Sequence, residues 1–283
     1  MYQATSVIEL RQYVQHWKDH DRSIAFIPTM GNLHAGHMSL IEKGQSLSDR
    51  TICSIFVNPM QFGPNEDWDH YPRSLESDLQ QLESIGCDLV YLPTASELYP
   101  EGLDKISHVE VTGLTENYEG AHRPGHFTGV ATVVLKLFNI VNPDVSVFGK
   151  KDYQQYQVIS KMVRDFNLDV QIIGQETTRE ASGLAASSRN QYLDAAQKEQ
   201  AATIYQALQQ AARQIEEGER DFKALERAAL VKLDQAGFQT DYFVVCNAET
   251  LKAASTQDRD LVILVTAALG ETRLLDNIEI SLW

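Results

Sequence analysis

The feature that most constrains this fold is a regular alternation of short apolar segments and amphipathic segments from the start to about residue 175. Residues 24–27, 51–57 and 88–92 are short apolar segments, of which 51–57 is rich in β-branched side chains, as is typical of strands. The segments between them have the spacing of helices. This alternation predicts an α/β fold in which a doubly wound parallel sheet carries helices on both faces.

The same pattern gives the predicted elements in more detail. Helices are expected from residue 36 onward and at 73–85, 126–141 and 152–166, with further strands at 145–148 and 170–173. In the opening helix Ile8, Leu10, Val14 and Trp17 are predicted to line one face, with a cap at residue 5 or 6. Because ligands of such sheets bind at the carboxyl ends of strands, the loops after residues 27, 57 and 148 are where chemistry is expected.

The pattern changes after Asn190. Asp194 is expected to cap one long helix that ends near Gly218, and a second helix is predicted at 221–236. Strands are predicted at 242–245 and 261–265. The sequence therefore predicts a domain of residues 1–185 that binds the substrates and a smaller C-terminal α+β domain of residues 186–283, joined through a Gly/Ser-rich linker at 182–190.

Charge and cysteine content narrow the classes of function. The formal net charge of −15 disfavours binding to nucleic acid and to anionic membranes, so any phosphate site must be built locally. Three widely spaced cysteines argue against a disulfide framework and a zinc knuckle. The N-terminus lacks the pattern of an export signal, and the most apolar stretch, 261–269, is too short to span a bilayer as a helix. A cytoplasmic location is expected.

The first candidate site is the segment PTMGNLHAGH at residues 28–37, which follows a strand and opens a helix. Helix N-termini suit phosphate oxygens, and the glycines at 31 and 36 allow close backbone approach. His34 and His37 lie on the first turn and could donate to one anion. A metal pair or two ordinary surface histidines are the alternatives. The context matches the His-x-Gly-His signature of adenylyl-transferring enzymes.

Four further segments have the residue types of a binding site. The carboxamides of Asn58 and Gln61 flank an apolar Pro-Met pair and could grip a small hydroxy acid, although this segment alone favours a turn capped by asparagine. Arg123 and His126 stand at a helix start, as an anion site or a simple cap. Residues 149–155, with two lysines and two glutamines, suit a triphosphate or form a solvated turn. Residues 186–190 are either a phosphate clamp or a polar linker.

The order of these segments resembles the pantothenate synthetase family over nearly the full length. The matching blocks are PTMGNLHAGH, SIFVNPMQF, YPRSLESDL, EGAHRPGHFTGV, FGKKDYQQ and GLAASSRN. The resemblance implies a Rossmann-like fold of the nucleotidylyltransferase superfamily, a C-terminal lid domain and a homodimer. Four positions depart from the usual family residues: Tyr118, Lys150, Ser182 and Ala186.

The resemblance also implies the reaction and its residues. Pantoate would be adenylated by ATP, with Mg²⁺, and the adenylate would then react with β-alanine to give pantothenate and AMP. His34 and His37 would be catalytic, Gln61, Gln155 and Asn58 would hold pantoate and β-alanine, and Asp78 would lie near the metal. The implied ATP contacts are Met30, Gly31, Asn32, Leu33, His34, Ala35, Gly36, His37, Gly149, Lys150, Lys151, Asp152, Thr178, Ala186, Ser187, Ser188 and Arg189.

Two rival functions remain open at this point. A nucleotidyltransferase acting on a phosphate ester would keep the His-x-Gly-His loop but lack the VNPMQF block. A nucleotide sensor would share the fold without catalysis, although the intact histidines, Lys151 and Arg189 disfavour it. The linker at 182–190 is expected to move when ATP binds, because an acyl adenylate must be shielded from water.

Overall fold

A computed structural model describes residues 1–63, 68 and 71–283. The chain forms two compact units, unit 1 (Met1–Lys150 with Gln155–Glu176) and unit 2 (Lys151–Gln154 with Thr177–Trp283). The predicted boundary after residue 185 differs from this division. Residues 177–185 group with unit 2 because Arg179 pairs with Ala185 in a β-bridge and forms an ion pair with Asp276.

Within the described residues, unit 1 contains one parallel sheet with the strand order β1-β4-β3-β2-β5-β6. The strands are β1 (Tyr2–Ala4), β2 (Ile24–Thr29), β3 (Arg50–Ile55), β4 (Leu89–Tyr91), β5 (Val145–Gly149) and β6 (Gln171–Gln175). The predicted Rossmann-like, doubly wound parallel sheet is confirmed. The short edge strand β1 was not predicted, because three residues are too few to show an alternation.

The helices of unit 1 follow the predicted alternation. They are α1 (Val7–Lys18), α2 (Ala35–Leu47), α3 (Leu75–Ser84), α4 (Ala95–Leu98), α5 (Glu119–His122), α6 (His126–Val141) and α7 (Tyr153–Asp165), of which the first two residues of α7 group with unit 2. Ser6 caps α1 through a reciprocal bond with Glu9. The prediction that Ile8 shares one face of α1 with Leu10, Val14 and Trp17 is wrong. It is 73% exposed, because it lies about 200° around the helix from buried Leu10.

The order of the strands reverses beside β2. The chain proceeds outward from β2 to β3 and β4, and then returns to place β5 on the other side of β2. In open α/β sheets this switch point is where ligands bind, next to the carboxyl ends of the strands. The residues at those two ends are Thr29 of β2 and Gly149 of β5.

Unit 2 combines helices with an antiparallel sheet of order β7-β8-β9. Its elements are α8 (Ala195–Ala201), α9 (Thr203–Glu216), α10 (Phe222–Gln235), β7 (Gln239–Asn247), β8 (Asp260–Leu269) and β9 (Thr272–Ser281). The single long helix predicted after Asp194 is two helices, because the Ala202 amide bonds back to Glu199 rather than one residue further. Strand β9 was not predicted, since polar residues such as Asp276 and Asn277 interrupt its apolar alternation.

The structure bears on the prediction that the three cysteines form no disulfide framework and on the prediction that no helix spans a membrane. Cys53, Cys87 and Cys246 are buried and are not joined in disulfides, and burial raises the pKa of Cys87 to about 11. Within the described residues, none of the helices has the length and apolar character needed to cross a membrane. The cytoplasmic location itself stays a prediction.

Helix α6 passes very close to the 3₁₀ turn Pro59–Gln61 of unit 1. A Cβ atom on Gly129 would lie within 2.3 Å of the Met60 carbonyl oxygen and 2.7 Å of the Gln61 nitrogen. Such distances are shorter than any real contact, so the close approach depends on glycine at this position. The contact sets the position of the turn that carries Gln61.

Substitution of Gly129 by alanine tests this contact. The new methyl group would meet main-chain atoms, so Gly129→Ala is expected to lower the free energy of unfolding in urea by about 1–3 kcal/mol. Gly44→Ala in α2 is the matched control. Its methyl group would touch side-chain atoms of Ala25 and Ile27 at 3.1 Å, so a smaller loss is expected. Equal losses in the two variants would contradict this account.

Candidate active site

The loop between β2 and α2 has a shape that few sequences allow. Gly31 and Asn32 both adopt positive φ values, of 82° and 50°. A Cβ on Gly31 would lie 3.0 Å from Ile55 and 3.1 Å from the Asp78 carboxylate, so glycine is needed both for its conformation and for space. The loop reverses the chain at the end of β2 and delivers His34 to the N-cap of α2.

Asp78 of α3 holds this loop in place. Its side chain is 1% exposed, and its two oxygens accept the N–H groups of Asn32 and Leu33 at 2.9 and 2.8 Å. Ser74 donates a third bond to the same carboxylate at 3.1 Å. The Gly31 N–H donates to Thr29. The amides of three predicted ATP-binding residues are thus used within the protein, and any contact of these residues with a nucleotide must use other atoms.

The two histidines of the loop are held in a defined tautomer. The Nδ1 atom of His34 accepts the Gly36 N–H at 3.1 Å, and the Nδ1 atom of His37 accepts the His34 N–H at 3.3 Å. Because a backbone N–H can only donate, each ring carries its proton on Nε2. The ring centroids lie 4.2 Å apart. The structure thus brings together two neutral imidazoles, each with an N–H donor, at a helix N-terminus.

The predicted pair Asn58 and Gln61 forms a buried amide network in unit 1. Asn58 is 1% exposed and donates to Gln61 Oε1 and to the Gly129 carbonyl, both at 3.2 Å. The Nε2 atom of Gln61 lies 3.0 Å from the Met30 sulfur. The two predicted substrate residues are therefore coupled to each other and to the nucleotide loop through Met30.

Arg123 and His126, for which an anion site and a helix cap were both considered, bind the Gln61 main chain. The Gln61 carbonyl lies 2.8 Å from His126 Nδ1 and accepts from Arg123 Nη2 at 3.3 Å. Arg123 Nη1 lies 3.2 Å from His126 Nε2. Since guanidinium only donates, Nε2 accepts and Nδ1 carries the proton. These side chains act as supports for the turn Pro59–Gln61.

The end of β5 carries the predicted basic residues. Gly149 ends the strand, and Lys150 forms an ion pair with Glu176 at 2.8 Å. This pairing turns the Lys150 side chain toward the end of β6. Lys151 belongs to unit 2, where its amine is 4.0 Å from the Asp152 carboxylate. Gln155 lies half-buried in α7 of unit 1.

In unit 2 a pocket brings together Lys151 and the predicted phosphate segment. Its lining is Lys151, Leu184, Ala185, Ser187, Asn190, Ala201, Ile204, Tyr205, Leu274, Leu275 and Asp276. The Ser187 hydroxyl accepts the Arg189 N–H at 3.3 Å, and the Ala186 N–H donates to the Thr178 carbonyl at 2.9 Å. Ser188 begins a 3₁₀ turn, Ser188–Tyr192.

A partly buried ion pair that the sequence did not reveal supports this segment. Arg179 makes two bonds to Asp276, at 2.6 and 2.9 Å, and lies 3.6 Å from the centre of the Tyr205 ring. It also donates to the Gly183 carbonyl. A two-pronged arginine–carboxylate pair fixes orientation as well as distance. Asp276 was missed because it lies in the unpredicted strand β9.

The metal prediction for Asp78 finds no support in the geometry. Its oxygens already accept three protein donors, and the described residues contain no group of three His, Cys, Asp or Glu side chains that could hold an ion. Oxygen ligands for Mg²⁺ would then come from phosphates and water, as is common for this ion. The involvement of Asp78 near a metal stays a prediction.

Fold and site together define a class. In unit 1 a doubly wound parallel sheet has two Nε2–H imidazoles at the helix that follows β2, and Lys150 follows the strand on the other side of the switch point. This is the arrangement of a Rossmann-like enzyme that acts on a phosphate-containing substrate.

Comparison with known proteins gives the family. A sequence model of the family Pantoate-beta-alanine ligase matches residues 3–279. The pantothenate synthetase of Alteromonas mediterranea is 51% identical over 276 residues, covering 98% of each chain. A pantothenate synthetase structure from Thermus thermophilus has a TM-score of 0.92 at 40% identity, covering 98% of this chain and 99% of that one. The chain belongs to the pantoate-β-alanine ligase family and is a ligase.

A third comparison concerns ligands. A pantoate-β-alanine ligase from Francisella tularensis was solved in complex with Beta-gamma ATP and Beta-alanine. It has a TM-score of 0.80 at 34% identity and covers 98% of this chain, and 97% of that chain is matched.

Replacing Asp78 by asparagine tests its hold on the loop. The new amide would direct an NH₂ group at an N–H donor, so Asp78→Asn is expected to lower the free energy of unfolding by about 2–4 kcal/mol and to reduce ligase activity. Chemical denaturation and steady-state assays measure these effects. Glu76→Gln, on the exposed side of the same helix, is the control and should change neither. A stable, fully active Asp78→Asn would contradict the assigned role.

Proposed function

We propose that this ligase condenses (R)-pantoate with β-alanine through a pantoyl adenylate. In the first step a pantoate carboxylate oxygen attacks the α-phosphorus of ATP, and pyrophosphate leaves. In the second step the β-alanine amine attacks the activated carbonyl, AMP leaves, and the amide of pantothenate forms. Family membership supports this reaction. The observation that carries the proposal is the pair His34 and His37, whose Nδ1 atoms each accept a backbone N–H.

His34 and His37 would stabilise the negative charge that builds up on the transferred phosphate. Because their Nδ1 atoms accept backbone donors, each ring would offer its Nε2–H, rather than a cation, to this developing charge. Fixed donors aimed at developing charge are the largest single source of catalysis in many enzymes. A neutral imidazole donates a hydrogen bond rather than a proton, so the expected role of His37, on the first turn of α2, is proposed here as hydrogen-bond donation to the transferred phosphate. Met30, Ala35 and Gly36 would line the nucleotide beside them, with Gly31, Asn32 and Leu33 shaping the loop.

Gln61 and Gln155 would bind pantoate, with Gln61 also next to β-alanine. The 1% exposure and complete bonding of Asn58 favour a role through Gln61 rather than direct contact. A pocket with few polar groups among apolar ones suits a small branched hydroxy acid. Asn58 therefore serves as a support in this proposal.

The phosphates of ATP would be held by charged and hydroxyl groups. The proposed contacts are Gly149, Lys150, Lys151, Asp152, Thr178, Ala186, Ser187, Ser188 and Arg189. Lys151 and Ser187 line one pocket of unit 2, which supports their assignment to the same anion. The support is weakest for Lys150, because its amine forms an ion pair with the Glu176 carboxylate at 2.8 Å.

Mg²⁺ is the proposed cofactor and would enter on the triphosphate. The chemistry it would supply is neutralisation of charge on ATP, and the described side chains form no ligand group of their own for it. The homodimer and the cytoplasmic location are proposed on the family resemblance and on the sequence respectively.

Pyrophosphate release from ATP, measured with and without pantoate, tests the reaction and the role of His37. Release is expected only when pantoate is present. His37→Gln keeps a side-chain acceptor for the His34 N–H, as glutamine does in a capping box, but it removes the imidazole. Adenylate formation is expected to fall about 10²–10³-fold. The exposed His108→Ala is the control and should behave as wild type. Wild-type turnover in His37→Gln would remove the catalytic assignment.

Truncation of Gln61 tests the division between the two substrates. Gln61→Ala should raise the KM for pantoate by about tenfold or more and change the KM for ATP much less, since a site deprived of a buried hydrogen-bond donor loses affinity for the oxygen it served. Steady-state kinetics with each substrate varied in turn measure both constants. The exposed Gln80→Ala is the control. Similar increases for both substrates would refute the division.

A further inference from the structure

Tyr99 is a buried tyrosine whose hydroxyl reaches the amide network of Gln61. It follows α4 directly and is 4% exposed. Its hydroxyl donates to Asn58 Oδ1 at 2.7 Å, the shortest bond of that network. Burial raises the pKa of Tyr99 well above its ordinary value, so the hydroxyl remains a hydrogen-bond donor at any physiological pH.

The donors and acceptors around Asn58 fix the direction of its carboxamide. Oδ1 receives the Tyr99 hydroxyl and also the Met60 N–H at 3.3 Å. Nδ2 faces the Gly129 carbonyl, which can only accept. If the Asn58 carboxamide turned over, its NH₂ group would face the Met60 N–H and its oxygen would face the Gly129 carbonyl. Neither of these pairs can form a hydrogen bond. Asn58 therefore presents its second N–H to Gln61 and nothing else.

The direction of Asn58 determines what Gln61 shows to a ligand. Since Asn58 donates to Gln61 Oε1, the NH₂ group of Gln61 must point the other way, toward the Met30 sulfur at 3.0 Å. A thioether is a weak acceptor, so a ligand oxygen would be a better partner for this group. Gln61 is thus set to donate to an oxygen of the substrate rather than to accept from it.

We propose that Tyr99 is a positioning residue for pantoate, which acts through Asn58 to hold the Gln61 carboxamide with its N–H groups toward a pantoate oxygen. This proposal rests on the proposed function. Loss of the Tyr99 hydroxyl would leave the Met60 N–H, at 3.3 Å, as the remaining donor on Asn58 Oδ1. The reversed amide would then be populated more, and Gln61 would present an oxygen that repels the substrate.

Tyr99→Phe tests the proposal, with Tyr91→Phe as the matched control. Tyr91 is fully buried, and among the described residues its hydroxyl has no hydrogen-bond partner. Tyr99→Phe should raise the KM for pantoate about tenfold, the effect of one buried hydrogen bond, and leave the KM for ATP and the thermal midpoint nearly unchanged. Tyr91→Phe should leave both KM values unchanged.

A second variant separates positioning from a general effect on packing. In Asn58→Asp both side-chain oxygens accept, so Gln61 would turn its NH₂ inward and the KM for pantoate should rise more than in Tyr99→Phe. Adding Tyr99→Phe to Asn58→Asp should then cause little further increase, because the relay is already broken. Independent, multiplying effects would overturn the proposal.

The outcomes also distinguish this inference from the proposed function. If the wild-type protein releases no pyrophosphate in response to pantoate, the proposed function fails. If the wild type is active and Tyr99→Phe keeps the wild-type KM for pantoate, the reaction stands and the positioning role of Tyr99 is refuted. An equal rise in the KM for ATP would refute it as well.

Discussion

The carboxylate of Asp78 is the interaction on which the site in unit 1 depends. By accepting the N–H groups of Asn32 and Leu33, it holds the loop after β2 in a conformation that needs positive φ at two successive residues. That loop ends at His34, whose ring caps α2 and whose N–H is received by His37. The direction of both catalytic candidates therefore follows from one buried carboxylate on a neighbouring helix. A charge buried in this way is stable because N–H and O–H donors surround it.

Most polar groups near the switch point are used by the protein itself. The loop amides bond to Asp78 and Thr29, Asn58 bonds on all sides, and Arg123 with His126 holds the Gln61 carbonyl. The side chains that are proposed to meet substrates in unit 1, namely His34, His37 and Gln61, are held in a set direction by bonds of this kind. This is the physical meaning of preorganisation, because little reorientation is needed when charge develops in the reaction.

The sequence predicted the central architecture because it depends on local patterns. Helix α6 was predicted with the bounds found, and each strand from β2 to β6 was predicted to within a few residues. Failures arose where local and long-range effects compete. Ile8 is apolar, but its position around the helix turns it away from the buried face. Ala202 interrupts a continuous helical pattern. Strand β9 carries the polar residue that forms the ion pair of unit 2 with Arg179.

The candidate site could be predicted only in part, for a related reason. His34, His37, Asn58, Gln61 and Lys151 stand in short motifs next to strand ends, and such motifs are visible in the sequence. Tyr99 and the pair of Arg179 and Asp276 carry no local signal, since their roles arise from contacts with residues far away along the chain. Supporting residues of this kind become visible only once the fold brings them together.

The contact of Gly129 with the Met60 carbonyl limits which substitutions this sequence can accept. At Gly129 helix α6 and the turn before it touch through main-chain atoms, so at this point no side chain lies between them that could shrink or grow to absorb a change. Neither segment can shift without moving the other. Any inherited change that alters the shape of the turn must be accompanied by one in the helix, and the two stretches, though distant in the gene, are bound to vary as a pair.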